Sequence, residues 1–152
     1  MRTKDLVRRW ESGRQALRTI AAGIPSGQEG FHPAPETMSL GELVLHAVSA
    51  EKTARDALTV TPGQWEWKTG INLERYSKIA DILAVLDAET EMTRKYLTGL
   101  SDADLAQTIK TPWGAEMTIE DLWYEWLGHE IHHRGNLVTG LRVLGVAPPS
   151  IW

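Results

Sequence analysis

Cysteine is absent from this 152-residue chain. That excludes disulfides, thiolate metal ligands and a cysteine nucleophile together, and it fits a reducing compartment. No window approaches the roughly 20 apolar residues that a membrane-spanning helix needs. The opening segment, MRTKDLVRRWESGRQALRTI, is basic but charged throughout, so it lacks a signal peptide's apolar stretch. The expectation is a cytoplasmic protein with no membrane partner. No long basic run occurs and the formal net charge is -4, so nucleic acid is not an expected partner either. Phenylalanine occurs once against seven tryptophans. An indole has a large apolar face and one N–H donor, which suits cores, pocket walls and interfaces alike.

The length predicts one domain over residues 1–152, large enough to bury about two-thirds of its unfolded surface. Such a core needs no metal merely to fold, so a metal site here would serve function. Apolar residues recur at helical spacing in four stretches. The first is expected from Lys4 to Ala22 with Thr3 as its cap, and Gly23 and Pro25 end it. The second runs from Leu40 to Leu58, where Ser39 followed by Glu42 forms a capping box. The third runs from Lys78 to Leu100 with Ser77 as cap, and Ser101-Asp-Ala-Asp starts a further short turn. The fourth runs from Ile119 to Leu144 behind Thr118, with Glu120 and Asp121 at the positive end of the helix dipole. Gly140 shares its inward face and would allow close helix approach, and the PPSIW tail is expected to pack back on the body. The segment from Leu105 to Met117 supports at most a short hairpin turning at Pro112-Trp113-Gly114. The fold expected is an all-α four-helix bundle with connections of about 17 to 19 residues, long for a bundle. Long connections permit crossover topology and often build the mouth of a site.

Three of the five histidines cluster in HEIHH. His129 and His133 are one helical turn apart and point to the same side, so both can reach one ion at about 2.0–2.1 Å. His132 is turned about 60° away from His129 and reads as a supporting or surface group. His129 and His133 share the inward stripe of the fourth helix, and His46 lies on the inward stripe of the second. A buried imidazole needs partners for its nitrogens, and a metal would satisfy all three at once. His32, in a loop between Phe31 and Pro33, is expected to face solvent. His129 to His133 also match H-E-x-x-H, in which the glutamate is a general base. Residues 134–152 contain no Asp, Glu, His or Cys, so a third ligand must come from upstream. His46 is the natural donor, which leaves Glu130 as a supporting or surface group. Three protein ligands leave a position open, the pattern of a catalytic site. All-nitrogen ligation suits zinc, nickel, iron or copper better than magnesium or calcium.

LGELVLH ending at His46, TPWG at Thr111–Gly114, DLWYEWLGHEIHHRGNL at Asp121–Leu137 and LGVAPPS near the end together resemble the DinB/YfiT-like family. The likeness covers nearly the whole chain in order. It implies a four-helix bundle of up-down-down-up connectivity, often a homodimer, and a metal triad that maps onto His46, His129 and His133. It also implies one divalent transition metal, zinc or nickel first. Activities known in the wider superfamily transfer or isomerise small substrates using low-molecular-weight thiols such as bacillithiol, mycothiol or glutathione. The leading expectation is a metal-dependent transferase that joins such a thiol to a small electrophile. Arg134 is a candidate for a substrate carboxylate or for a surface ion pair. Trp113, Trp123 and Trp126 are candidate pocket walls; core packing is the favoured reading for Trp126, and Trp123 lies off the centre of the inward stripe, a position open to a loop or partner. Trp65 and Trp67 are placed to cover the site. The alternatives are a hydrolase that uses metal-activated water, a metal- or ligand-binding bundle without turnover, and a purely structural bundle.

Overall fold

The computed structural model describes residues 2–151. Four long helices, α1 (Arg2–Ala21), α2 (Leu40–Thr59), α3 (Ile79–Thr98) and α5 (Ile119–Leu144), form the bundle. A single turn, α4 (Asp102–Leu105), and a hairpin, β1 (Thr108–Lys110) with β2 (Glu116–Thr118), lie between α3 and α5. The hairpin is antiparallel, with Ile109 opposite Met117. No helix among the described residues is long and apolar enough to cross a membrane.

Side-chain pairs fix the helix directions. Arg2 meets Glu120 and Arg14 meets Glu130, so α1 and α5 run parallel. Arg18 pairs with Asp87 and Arg94 with Glu11, so α3 runs against α1. His46 faces His129, and Gly140 lies against Leu40, so α2 runs against α5. The order is up-down-down-up. Around the bundle α1 touches α3 and α5, and α2 touches the same two. Consecutive helices α1 and α2 therefore sit mainly across the diagonal, which requires a long connection.

Caps set most of the boundaries. Ser39, Ser101 and Thr118 each form a reciprocal capping box, with Glu42, Asp104 and Asp121 respectively. Gly145 closes α5 in the left-handed region at φ 87°, a conformation that costs glycine little. The third helix departs from expectation. It begins at Ile79, and Lys78 at its cap makes no side-chain capping bond, so Ser77 does not cap it. The Ile79 N–H instead donates to Glu29 Oε1, 2.7 Å away in the α1–α2 connection. Thr3 does not cap α1 from outside either. It lies within the helix, and its N–H and hydroxyl donate to Asp102 of α4.

The apolar core is in two parts. One end holds Leu17, Ile20, Leu40, Val44, Leu86 and Leu137, among others. The other holds Leu6, Trp10, Leu97, Leu105, Ile119 and Trp123. Trp123 is fully buried against Tyr96. That corrects the expectation that it faces a loop or partner: the inward arc of α5 is wider here because α4 and the hairpin add cover. Ile151 of the tail packs on the first core, and Pro149 lies against Gly23. Trp152, the last residue of that expected contact, is outside the described residues.

Between the two cores lies a polar layer. Arg14 is buried between Glu51 and Glu130. Glu51 Oε2 also accepts from Trp10 Nε1 at 3.0 Å. Arg55, buried nearby, donates to Thr93 and Glu89. The histidine cluster sits in this layer, on the α2–α5 side.

Candidate metal centre

The α2–α5 crossing is tight. A Cβ on Gly140 would come within 2.6 Å of Leu40 and 2.8 Å of Pro33. Only a residue without a side chain permits that approach, and it brings the histidine-bearing stretches of the two helices together. His46 Nε2 lies 3.1 Å from His129 Nε2, and His133 Nε2 lies 3.0 Å from the same atom. One ligand-capable atom from each of the three residues lies within 4.8 Å of the others. Three nitrogens on a tetrahedral ion at about 2.0–2.1 Å would stand roughly 3.3 Å apart. The two separations to His129 match that spacing, and His46 and His133, within 4.8 Å of each other, complete a donor set for one tetrahedral ion.

The electrostatics suit a cation as well. Burial pushes the His46 imidazole below its ordinary pKa. Burial first, then neighbouring His46 and His132, pushes His129 down to about 4. Burial, with His129, His46 and His132 behind it, likewise pushes His133 down to about 4. All three rings are neutral at pH 7 and present lone pairs, as metal ligation requires. His133 Nδ1 is buried with no hydrogen-bond partner among the described residues.

The remaining sequence candidates divide into two groups. Trp126 and Trp113 are brought to the cluster. The Trp126 ring lies 5.3 Å from His129 and Trp113 lies 6.5 Å from Trp126. Trp65 continues the series 5.7 Å from Trp113, and Trp67 stacks on Trp65 at 6.2 Å. These rings form a ladder leading outward from His129. The loop carrying Trp65 and Trp67 is fastened to α2 by the Thr53 hydroxyl, which donates to the Glu66 carbonyl, and by a Ser49–Thr69 hydroxyl pair. Trp113 stands half-exposed at the hairpin turn, which Thr111 ties to Ala115. His132 lies on the solvent side with its Nε2 against Asn136, although its ring still contacts that of His133.

Glu130 and Arg134 are not brought to the cluster. Glu130 is buried and turned toward Arg14, 3.3 Å away. Burial lifts its carboxyl to about 7 although Arg14 opposes this. Arg134 donates to the Gly13 carbonyl, tying α5 to α1. His32 is exposed and faces the Thr37 carbonyl of its own loop. Sequence reasoning missed Arg14 and Glu51. The available signal was a charge falling on each inward stripe: Arg14 sits between Trp10 and Leu17, and Glu51 follows Ala47 by one turn.

The DinB superfamily profile matches residues 9–137 of the chain. The uncharacterized protein YjoA of Bacillus subtilis is 24% identical over 149 residues, covering 94% of this chain and 91% of that one. Its crystal structure, described as DinB-like, superimposes with a TM-score of 0.77 over 97% and 96% of the two chains. A DinB-like protein from Bacillus cereus is 16% identical, with a TM-score of 0.80 over 98% and 97%. YfiT from Bacillus subtilis, described as a probable metal-dependent hydrolase with an unusual four-helix bundle topology, is 13% identical, with a TM-score of 0.76 over 95% and 89%.

Proposed function

The chain belongs to the DinB superfamily, and from that membership and the histidine cluster we propose a metal-dependent transferase that joins a low-molecular-weight thiol to a small electrophile. The observation that carries this reading is the convergence of the His46, His129 and His133 Nε2 atoms in the polar layer, with His133 buried and the other two half-buried. These three residues would hold one divalent transition ion, zinc or nickel. Such an ion supplies a positive centre that favours the ionised form of a thiol.

The protein's own groups account for the rest. Three neutral donors add no negative charge, so an anionic sulfur is attracted in full. The chain has no cysteine, so the sulfur must come from a separate molecule. Among the described residues no carboxylate joins the three imidazoles in the cluster, and Glu130 is engaged with Arg14. With no carboxylate base in the cluster, the thiol proton leaves to solvent. Sulfur then forms its bond to the electrophilic carbon as the leaving group departs with its electron pair. Trp126 and Trp113 wall the space beside His129 and exclude water from one side. The protein is further taken to act in the cytoplasm and as a homodimer, the latter checked by sedimentation.

Hydrolysis is a second reading, favoured by the description of YfiT. It requires turnover with no thiol added. The first measurement is the metal content of untagged protein beside His46→Ala. One equivalent in the former and loss in the latter is expected, followed by turnover only when metal and thiol are both present. Absence of metal from both after reconstitution with zinc and nickel would refute the site.

A further inference from the structure

The tryptophan ladder bounds the histidine cluster on the His129 side. On the His133 side lies a separate cavity of about 460 Å³, within the usual range for small-molecule sites. Met38 and Ala34 of the α1–α2 connection, Leu43 of α2, and Thr139 and Val143 of α5 line it, and His133 belongs to both cavity and cluster. We infer that this cavity is the subsite for an uncharged apolar tail of the electrophile, whose reactive end lies at the histidines. The inference rests on the transferase reading above and names the substrate class for it.

Charge is the first argument. A quarter of the chain is Asp, Glu, Lys or Arg (24%), yet none of these lines the cavity. The polar side chains there, Thr37, Asn136 and Thr139 beside His133, are uncharged, so a charged ligand group would lose water without meeting a counter-charge. The second argument is exposed apolar surface. Met38 is 38% exposed and Val143 56%; an alkyl tail would cover both, and methionine adapts readily to such a tail. The third is rigidity. Pro33 is wedged against Gly140. The Thr37 hydroxyl donates to the Ala34 carbonyl at 2.7 Å, and His32 Nδ1 lies 2.7 Å from the Thr37 carbonyl. The wall is therefore formed before any ligand arrives. Low-molecular-weight thiols are polar and charged, so the cavity suits the electrophile and leaves the thiol to the other side of the cluster.

The test titrates zinc-loaded protein with straight-chain hydroxamates from acetohydroxamate to octanohydroxamate. Their common head group chelates zinc while only the tail varies. Affinity is expected to rise about four-fold per methylene until the cavity is filled. Thr139→Trp, whose indole would occupy the cavity, should remove that dependence on length. Ala34→Trp should do the same from the opposite wall and serves if the first variant does not fold. A flat series on the unaltered protein, or a slope that survives both substitutions, overturns the subsite. So does a slope abolished by Trp113→Ala and kept by Thr139→Trp, which would put the tail on the tryptophans. If the protein takes up no zinc, the metal reading falls and the subsite with it; if the loaded protein does not bind acetohydroxamate, the open position at the ion falls and takes the subsite with it. If acetohydroxamate binds and the series is flat, the subsite alone falls.

Discussion

His129 and His133 are held neutral by burial, with pKa values near 4, and this sets how pH should act on them. A histidine whose folded pKa lies below its unfolded value of about 6.5 stabilises the fold above that value. The contribution is lost as pH falls from about 6.5 through 4. The same shift governs metal binding, because a ligand must shed its proton first. Calorimetry of zinc binding at about pH 6.5 in buffers of different ionisation heat should show almost no proton released from His129 or His133. Affinity should fall steeply only below about pH 5. Release of about half a proton per ring, roughly one and a half in all, would mean that the rings are solvated. Arg14 presents the opposite case, a buried cation kept charged against its desolvation chiefly by Glu51, with Glu130 adding to this only as it ionises near pH 7. Removing one partner of a buried ion pair leaves the others uncompensated, so Arg14→Ala should cost about 3–5 kcal/mol in urea unfolding. Glu130→Gln should cost clearly less, because that carboxyl already holds its proton up to about pH 7. Equal losses would show that the two groups do not interact as drawn.

Elements here are completed by one another. The α3 N-terminus takes its cap from Glu29, fifty residues earlier. Backbone N–H donors, including that of Ile79, hold the Glu29 carboxyl below its ordinary pKa, although burial opposes them. A carboxylate with a lowered folded pKa stabilises above its unfolded value and loses that contribution as pH falls. Glu29→Ala should therefore cost about 1 kcal/mol at pH 7, with the difference from the unaltered protein shrinking below about pH 4. A pH-independent difference would place the effect in packing instead. The hairpin is likewise too short to stand alone. Its Gln107 carbonyl accepts from the Ile119 N–H at the start of α5. That junction sets the hairpin against the bundle, with Trp113 on the rung next to Trp126.

At the scale of the whole molecule, two apolar cores lie on either side of one polar layer. The cores hold the helices together without help from an ion, so chelation should leave the helical circular dichroism unchanged. An ion present at about a hundred times its dissociation constant adds about 2.7 kcal/mol. For a chain of this size that corresponds to roughly 5–10 °C in Tm. A chelator should lower Tm by that order, and His46→Ala should abolish the difference. Complete unfolding on chelation would mean that the polar layer cannot persist without metal.

Helices and their ends were legible where the determining contacts are local. The capping box at Ser39, the Thr118 start and the Gly145 stop each depend on residues within one turn. The 3.6-residue period placed His46, His129 and His133 on inward faces for the same reason. Tertiary structure alone decided what lies far apart in the chain. Glu29 overrode Ser77 at α3, Trp123 became core because α4 and the hairpin cover it, and Glu130 turned to Arg14 rather than to its histidine neighbours. Periodicity gives the direction of a side chain from its own helix axis and says nothing of which helix it meets. The meeting of His46 with His129 and His133 needed α2 and α5 to be neighbours at one level, and that follows from the up-down-down-up order and the Gly140 crossing.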